Sequence, residues 1–222
     1  MGLFIVFEGP EGSGKTTQLQ RLYRRLRRAG IPVIRTREPG GTRLGERLRT
    51  LLKRADEDLA PETELFLFLA ARAQLVNTVI RPALAAGKVV LCDRYSPSTL
   101  AYQAYGRGLP LDQVAAADRL ATGGLWPDLI VLLDLPVEAG LARRGRAEAD
   151  RFEAEDLEFH RRVRAGYLEL ARSDPERWLV LDAQAPPADL ARRVWSGVRD
   201  LLGRREPPPP QPARPGHCPA TP

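Results

Sequence analysis

Residues 3–8, Leu3-Phe4-Ile5-Val6-Phe7-Glu8, form an almost unbroken apolar, β-favouring run, the pattern of a strand buried on both faces. They pass into the glycine-rich turn Gly9-Pro10-Glu11-Gly12-Ser13-Gly14-Lys15-Thr16-Thr17. Leu19, Leu22, Tyr23 and Leu26 then fall at helical spacing, and Gly30 closes that helix. The change from strand period to helix period recurs. Further strands are predicted at 32–36, 88–95, 127–135 and 177–182. Helices are predicted from Leu44, Leu48, Leu51 and Leu52, over 62–87, from Phe159, Val163, Tyr167 and Leu170, and from Leu190, Val194, Val198 and Leu201. Strands joined by helical crossovers imply an α/β fold, a doubly wound parallel sheet with helices on both faces. One domain is expected over 1–203, because 222 residues suffice for one sizeable core.

The first turn has the spacing G-x-x-x-x-G-K-[ST] at Gly9, Gly14, Lys15 and Thr16, set between a buried strand and a helix N-terminus. Each residue type has a reason to be there. Glycines let successive backbone N–H groups close around a polyphosphate, where a Cβ would block both the dihedrals and the approach. The helix start adds unpaired N–H groups and the positive end of its dipole. Lys15 can reach the outer phosphates, and the Thr16 hydroxyl can hold Mg²⁺. An acid ends the strand at 88–95, in Asp93-Arg94-Tyr95. At that edge Asp93 can serve as the second oxygen ligand of the metal, and Arg94 can grip a second phosphate.

Composition narrows the partners. Net charge +6 and a pI near 9.8 suit anionic ligands, either nucleotides or nucleic acid. The basic residues are dispersed among acids, no nucleic-acid motif appears, and only Lys15, Lys53 and Lys88 are lysines among 34 basic residues. A general preference for arginine accounts for most of them. No apolar run approaches the roughly 18 residues of a membrane span, so a cytoplasmic protein with no membrane partner is expected. Cys92 and Cys218 show no pairing pattern, and His160 and His217 stand alone, which argues against a zinc site.

Other residues add to the candidate site. Arg37-Glu38-Pro39-Gly40-Gly41-Thr42 follows the second strand at the sheet edge where ligands bind in open α/β folds, and Arg49 lies in the next helix. Arg72 stands one helical turn after Phe68, a pairing that suits a planar heterocycle. A core phenylalanine beside a solvated arginine has the same spacing, and the residues alone leave both readings open. Ser98, Thr99, Tyr102, Gln103 and Arg107 form a polar and aromatic group able to line the same cleft. Residues 143–153 are dense in charge and predict a short arginine-rich lid over a phosphate loop that has no basic residue between Gly9 and Gly14. Residues 204–222 are a proline-rich, disordered tail by composition.

Four motifs stand together in order: Phe7-Glu8-Gly9-Pro10-Glu11-Gly12-Ser13-Gly14-Lys15-Thr16-Thr17, then Thr36-Arg37-Glu38-Pro39-Gly40-Gly41-Thr42, then Asp93-Arg94-Tyr95 with Ala101-Tyr102-Gln103, then Asp150-Arg151-Phe152-Glu153. Over roughly 3–202 the chain resembles the bacterial thymidylate kinases. The resemblance implies a P-loop kinase fold of five parallel strands, ATP and Mg²⁺ as co-substrates, dTMP as phosphoryl acceptor, and a homodimer. It implies a donor site at Gly9, Pro10, Glu11, Gly12, Ser13, Gly14, Lys15, Thr16 and Thr17, with metal held by Thr16 and Asp93. It makes Phe68 the stacking partner of thymine and Arg72 the donor to its O4, with Ser98, Thr99 and Gln103 at the base and Tyr102 at the sugar 2′ position. Glu11 falls near the acceptor sugar, Pro39 at a tight bend beside the base, and Glu38, Arg49, Arg94 and Arg107 around the acceptor phosphate and metal. Catalytic charge is expected from Lys15, Arg94 and lid arginines, with Arg144, Arg146 and Arg151 favoured and Arg143 also open. A kinase for another acceptor and a nucleotide-dependent nucleic-acid-binding protein are the alternatives.

Overall fold

A computed structural model describes residues 2–54, 58–144, 151–152 and 154–205. Most of the expected lid, and the expected tail from residue 206 on, lie outside these residues; Arg204 and Arg205, expected in the tail, are helical and extend the final helix two residues past the expected boundary. In chain order the elements are β1 (Phe4–Glu8), α1 (Lys15–Arg28), β2 (Val33–Arg37), α2 (Arg43–Arg54), α3 (Pro61–Leu75), a π-helical stretch (Val76–Ile80), α4 (Arg81–Ala85), β3 (Val89–Asp93), α5 (Ser96–Thr99), a second π-helical stretch (Leu100–Gly106), α6 (Leu111–Thr122), β4 (Leu129–Asp134), α7 (Val137–Arg144), α8 (Leu157–Ser173), β5 (Trp178–Asp182) and α9 (Pro187–Arg205).

The five strands form one parallel sheet in the order β2-β3-β1-β4-β5. β1 is central, and the chain leaves it first toward β3 and β2 and later toward β4 and β5. That reversal puts a crevice at the carboxyl edge beside β1, where the phosphate loop emerges. Every residue of β1 is buried, and its side chains divide the core by the period of two. Ile5 and Phe7 pack with Leu19, Leu22 and Leu26 of α1 and with Leu190, Val194 and Val198 of α9. Phe4 and Val6 pack on the other face with Leu75, Val76, Ile80 and Leu84. Ile130 and Leu132 of β4 carry that face onward to Phe159, Val163 and Tyr167 of α8. α1 ends where expected, with Arg25, Arg27 and Arg28 in its last turn, favourable at the negative end of the dipole, and Gly30 at φ 72°.

Three expectations need correction. Leu44 and Leu51 of α2 are exposed at 45% and 46%, and only Leu52 of that set is fully buried, so the leucine face of α2 turns largely outward. Phe66, one of the apolar residues of the helix predicted over 62–87, is 62% exposed, so that apolar pattern is not all core. That stretch is helical throughout but changes to π-helical winding at Val76–Ile80, which rotates the residues beyond it. By length and composition, Pro61–Ala85 is also apolar enough to cross a membrane, contrary to the sequence expectation. It is nonetheless built into the fold, with Leu75, Val76, Ile80 and Leu84 in the core and Glu64 and Arg72 buried in hydrogen-bonded ion pairs.

The phosphate loop is held by close backbone packing. Gly9 has φ 137°, and a Cβ there would lie 2.4 Å from the Leu133 carbonyl oxygen of β4. Gly12 has φ 72°, and its Cβ would lie 2.5 Å from the Gly140 oxygen of α7. The contact is mutual, since a Cβ on Gly140 would meet the Glu11 oxygen at 2.7 Å. Gly140→Ala should therefore push loop and helix apart at a cost of about 1–3 kcal/mol. Calorimetry should show Tm lower by several degrees; an unchanged Tm would mean that the loop is not seated on α7.

Candidate active site

A cavity of about 670 Å³ opens at the carboxyl edge of the sheet. It is lined by Glu11, Lys15, Thr16, Glu38, Pro39, Arg49, Phe68, Arg72, Asp93, Arg94, Ser98, Thr99, Tyr102 and Gln103, all of which the sequence nominated, by Arg37 of the nominated 37–42 segment, and also by Arg35, Thr36, Lys53 and Phe152, which were not nominated as site residues. Residues far apart in the chain meet because the loops after β1, β2 and β3 all leave the sheet at this edge.

Lys15 is buried at the start of α1, and its Nζ donates to the carbonyl oxygens of Gly9 at 3.0 Å and Pro10 at 2.8 Å. Burial, reinforced by the charge of Arg94, pushes its pKa down to about 8 against the pull of Glu11, Asp93 and Glu8. The Thr16 hydroxyl donates to Asp93 Oδ2 at 2.7 Å, so the last residue of β3 reaches the first turn of α1. This hydroxyl and carboxylate fit Mg²⁺, which binds oxygen and completes its shell with water and phosphate. Among the described residues there is no group of three or more His, Cys, Asp or Glu placed to hold a metal ion.

Arg94 takes φ 69°, in the left-handed region that costs an ordinary residue about 1 kcal/mol or more. The surroundings enforce it: Arg94 N–H donates to Phe7 O at 3.0 Å, and the next N–H, of Tyr95, donates to Glu8 Oε1 at 2.8 Å. The guanidinium then donates to Glu11 Oε1 at 2.5 Å, Tyr167 OH at 3.1 Å, Ser98 Oγ at 3.2 Å and Tyr102 OH at 3.3 Å. Burial pushes the Glu11 carboxyl up, but Arg94 and Lys15 outweigh it and hold the pKa down to about 2. Beneath Arg94 lies Glu8, fully buried, which also accepts from the hydroxyls of Ser98 at 2.6 Å and Tyr167 at 2.9 Å. Burial raises its pKa against the charge of Arg94.

Arg72 is 1% exposed. Its Nε donates to Glu38 Oε2 at 2.6 Å, and its Nη1 donates to Thr99 Oγ1 at 2.9 Å and Asp118 Oδ1 at 2.6 Å. Burial pulls its pKa down, but Glu38 and Asp118 reverse the effect, so the arginine stays charged. The proton uptake falls on Glu38, whose carboxyl burial pushes up to about 7 despite Arg72. Glu38 Oε1 is buried without a hydrogen-bond partner among the described residues. Phe68 is half-buried, with its ring centroid 5.6 Å from that of Phe152. The Glu38-Pro39 peptide is cis, and the Pro39 oxygen accepts from Arg49 Nη1 at 3.0 Å. Gln103 Nε2 donates to Glu64 Oε1 at 2.8 Å, leaving the amide oxygen as an acceptor.

Two nominated arginines are placed elsewhere. Arg107 and Arg151 both donate to the buried carboxylate of Glu64 and are absent from the cavity wall. Both sit beside the same carboxylate, which balances their charge. Arg143 Nη1 lies at the loop, donating to the oxygens of Ala183 at 3.0 Å and Gly12 at 3.5 Å. The side chain of Arg144, and Arg146 altogether, fall outside the described residues. Sequence reading missed Glu8, Glu64, Asp118 and Tyr167. Glu8 carried a signal, an acid closing a buried strand; Tyr167 reads as part of an apolar helix face, and Glu64 and Asp118 look like ordinary surface positions of helices.

A parallel sheet with a phosphate loop at its switch point, a lysine on that loop, a hydroxyl and carboxylate suited to Mg²⁺, and a second, aromatic and arginine-lined pocket in the same cavity define the class: a P-loop phosphotransferase for a small acceptor. The chain belongs to the thymidylate kinase family, whose sequence profile it matches over residues 7–194. It is 56% identical to the thymidylate kinase of Thermomicrobium roseum over 211 residues, covering 93% of this chain and all of that protein. It is 53% identical to that of Deinococcus radiodurans over 200 residues, 90% of this chain and 97% of the relative, and 49% identical to one from Dehalococcoides mccartyi over 206 residues, 92% and 99%.

The shift of Lys15 has a measurable sign. With a pKa near 8 the free enzyme carries the ammonium below that pH and loses it above. Hence kcat/KM for ATP, which reports free-enzyme ionisations, should fall as pH rises through about 8. A profile flat to pH 10 would assign Lys15 an ordinary environment.

Proposed function

We propose that this chain transfers the γ-phosphoryl group of ATP to dTMP, giving ADP and dTDP, a step of dTTP synthesis. The observation that carries the reading is a single cavity lined both by Lys15 and Thr16 and by Phe68 and Arg72, so that two nucleotides meet inside it. A phosphate oxygen of dTMP attacks the γ-phosphorus, one P–O bond forms, and the bond to the β,γ-bridging oxygen breaks with its electrons leaving on ADP. The acceptor phosphate has its second pKa about 6 and is already anionic near neutral pH, so no general base is required.

Each residue then acts by position and charge. The Gly9–Gly14 backbone cups the donor phosphates, and Lys15 exchanges its carbonyl partners for phosphate oxygens. Arg94 faces the acceptor phosphate with its orientation fixed by Glu11, Ser98 and the two tyrosines. Thr16 and Asp93 would hold Mg²⁺, which when bound neutralises charge on the β- and γ-phosphates. Arg143 lies at the loop, and Arg144 and Arg146 remain the candidates for further charge on the γ-phosphate.

For the acceptor, thymine stacks on Phe68, and Arg72 donates to O4. Cytosine presents an amino donor at that position, so Arg72 and the amino group would face each other unpaired. Tyr102 is buried among Phe152, Phe159 and Tyr167, a packing that fixes it against the sugar's 2′ position. A homodimer is proposed through the outward apolar residues of α2, α3 and α6, among them Leu44, Leu51, Phe66 and Leu120, the last 86% exposed. The substrates are cytoplasmic nucleotides, and the cytoplasm is the compartment that this reading implies.

A panel of nucleoside monophosphates incubated with ATP and Mg²⁺ tests the proposal. dTMP is expected to be converted at a kcat/KM at least about a hundredfold above dCMP; a preference for UMP, CMP or a non-nucleotide acceptor would overturn it. Arg72→Lys keeps a charge for Glu38 and Asp118 but loses the planar donor fork. It should lower kcat/KM for dTMP by about a hundredfold and shrink the preference over dCMP at least about tenfold. An unchanged preference would remove Arg72 from base reading.

A further inference from the structure

Glu64 of α3 is fully buried, and its two oxygens draw two other chain segments to it. Oε1 accepts from Gln103 and from Arg107 Nε at 3.2 Å, while Oε2 accepts from Arg107 Nη2 at 3.0 Å and from Arg151. Arg107 Nη1 also contacts Glu155 Oε1 at 2.6 Å. Two carboxylates and two guanidiniums thus close a chain Glu155, Arg107, Glu64, Arg151 that is neutral as a whole. Arg151 and Glu155 stand four residues apart in sequence, and both are tied to the Arg107–Glu64 pair. Phe152, between them, lies in the cavity wall, with its ring centroid 5.6 Å from that of Phe68 and 6.3 Å from that of Tyr102.

We propose that Glu64 is a positioning residue which, through Arg151, seats Phe152 as part of the wall of the acceptor pocket, and that Arg151 serves as the latch of that wall instead of supplying charge to the phosphoryl group. Arg151 is poorly suited to the second task, since its Nη2 is spent on Glu64, its Nε lies 3.4 Å from the Leu52 oxygen, and its guanidinium rests over the Phe152 ring. Buried ion pairs of this kind are costly to break from one side, because the partner is left charged without compensation. The latch therefore fixes the phenyl ring in place. The inference rests on the reading of the pocket as the dTMP site.

Steady-state kinetics of the full chain with ATP and dTMP separate the two roles. Arg151→Met is expected to raise KM for dTMP about tenfold while kcat falls less than about threefold. A fall in kcat of a hundredfold or more with KM held would make Arg151 catalytic and overturn the proposal. Phe152→Ala should reproduce the rise in KM, and the double variant should be no worse than Phe152→Ala alone, because both changes remove one wall. Additive rises would contradict that. Glu64→Gln should raise the same constant at least as far as Arg151→Met; where it does not fold, Glu155→Gln, expected to give a smaller rise, takes its place. Wild-type protein inert toward dTMP would defeat the functional reading itself, whereas an active wild type with KM unmoved in Arg151→Met would defeat only this inference.

Discussion

A charged group taken out of water must find its compensation inside the protein, and at this site that requirement decides which parts of the chain touch. Arg72 cannot be buried on α3 unless Glu38 from the end of β2, Thr99 from α5 and Asp118 from α6 come to it. Glu8 cannot close β1 unless Tyr95, Ser98 and Tyr167 supply donors. Removing one partner of such a pair leaves the other charged in a low dielectric, a loss of about 3–5 kcal/mol. The apolar layers of the sheet and helices build the frame, and these pairs set the orientation of the functional side chains within it.

The same constraint explains how a preformed cavity can hold so much positive charge. Three of the cations lining it have partners of their own: backbone carbonyls for Lys15, Glu11 and tyrosine hydroxyls for Arg94, carboxylates for Arg72. On the proposed reading, phosphates and a base carbonyl would meet donors of Arg94 and Arg72 whose directions are already set, so little reorganisation of these two arginines would accompany binding. Glu11, at the loop, and Glu38, at the pocket, are held at opposite ends of the carboxylate range by their surroundings, about 2 and about 7.

The frame was legible in the sequence because parallel strands buried on both faces read as continuous apolar runs, and the phosphate loop is written in consecutive residues. The pairing of Phe68 with Arg72 was legible as a turn of helix, but only the structure separates a pocket wall from a core contact. What could not be read is whatever depends on two distant segments meeting. Asp118 has no local mark distinguishing it from a solvated aspartate, and Glu64 none that predicts two arginines around it. Arg151 stands in a charged stretch, and its counter-charge lies 87 positions away in sequence. The outward turn of Leu44, Leu51 and Phe66 escaped for a related reason, since periodicity shows that a face is apolar without showing what it faces.

On the proposed reading, donor and acceptor occupy one continuous cleft with their phosphates meeting between Lys15 and Arg94. The most direct test is calorimetric titration with a compound joining thymidine and adenosine through a polyphosphate bridge. One molecule per chain should bind at least about a hundredfold more tightly than either nucleotide, and it should compete with both ATP and dTMP. Binding no tighter than ATP, or competition with only one substrate, would contradict the account.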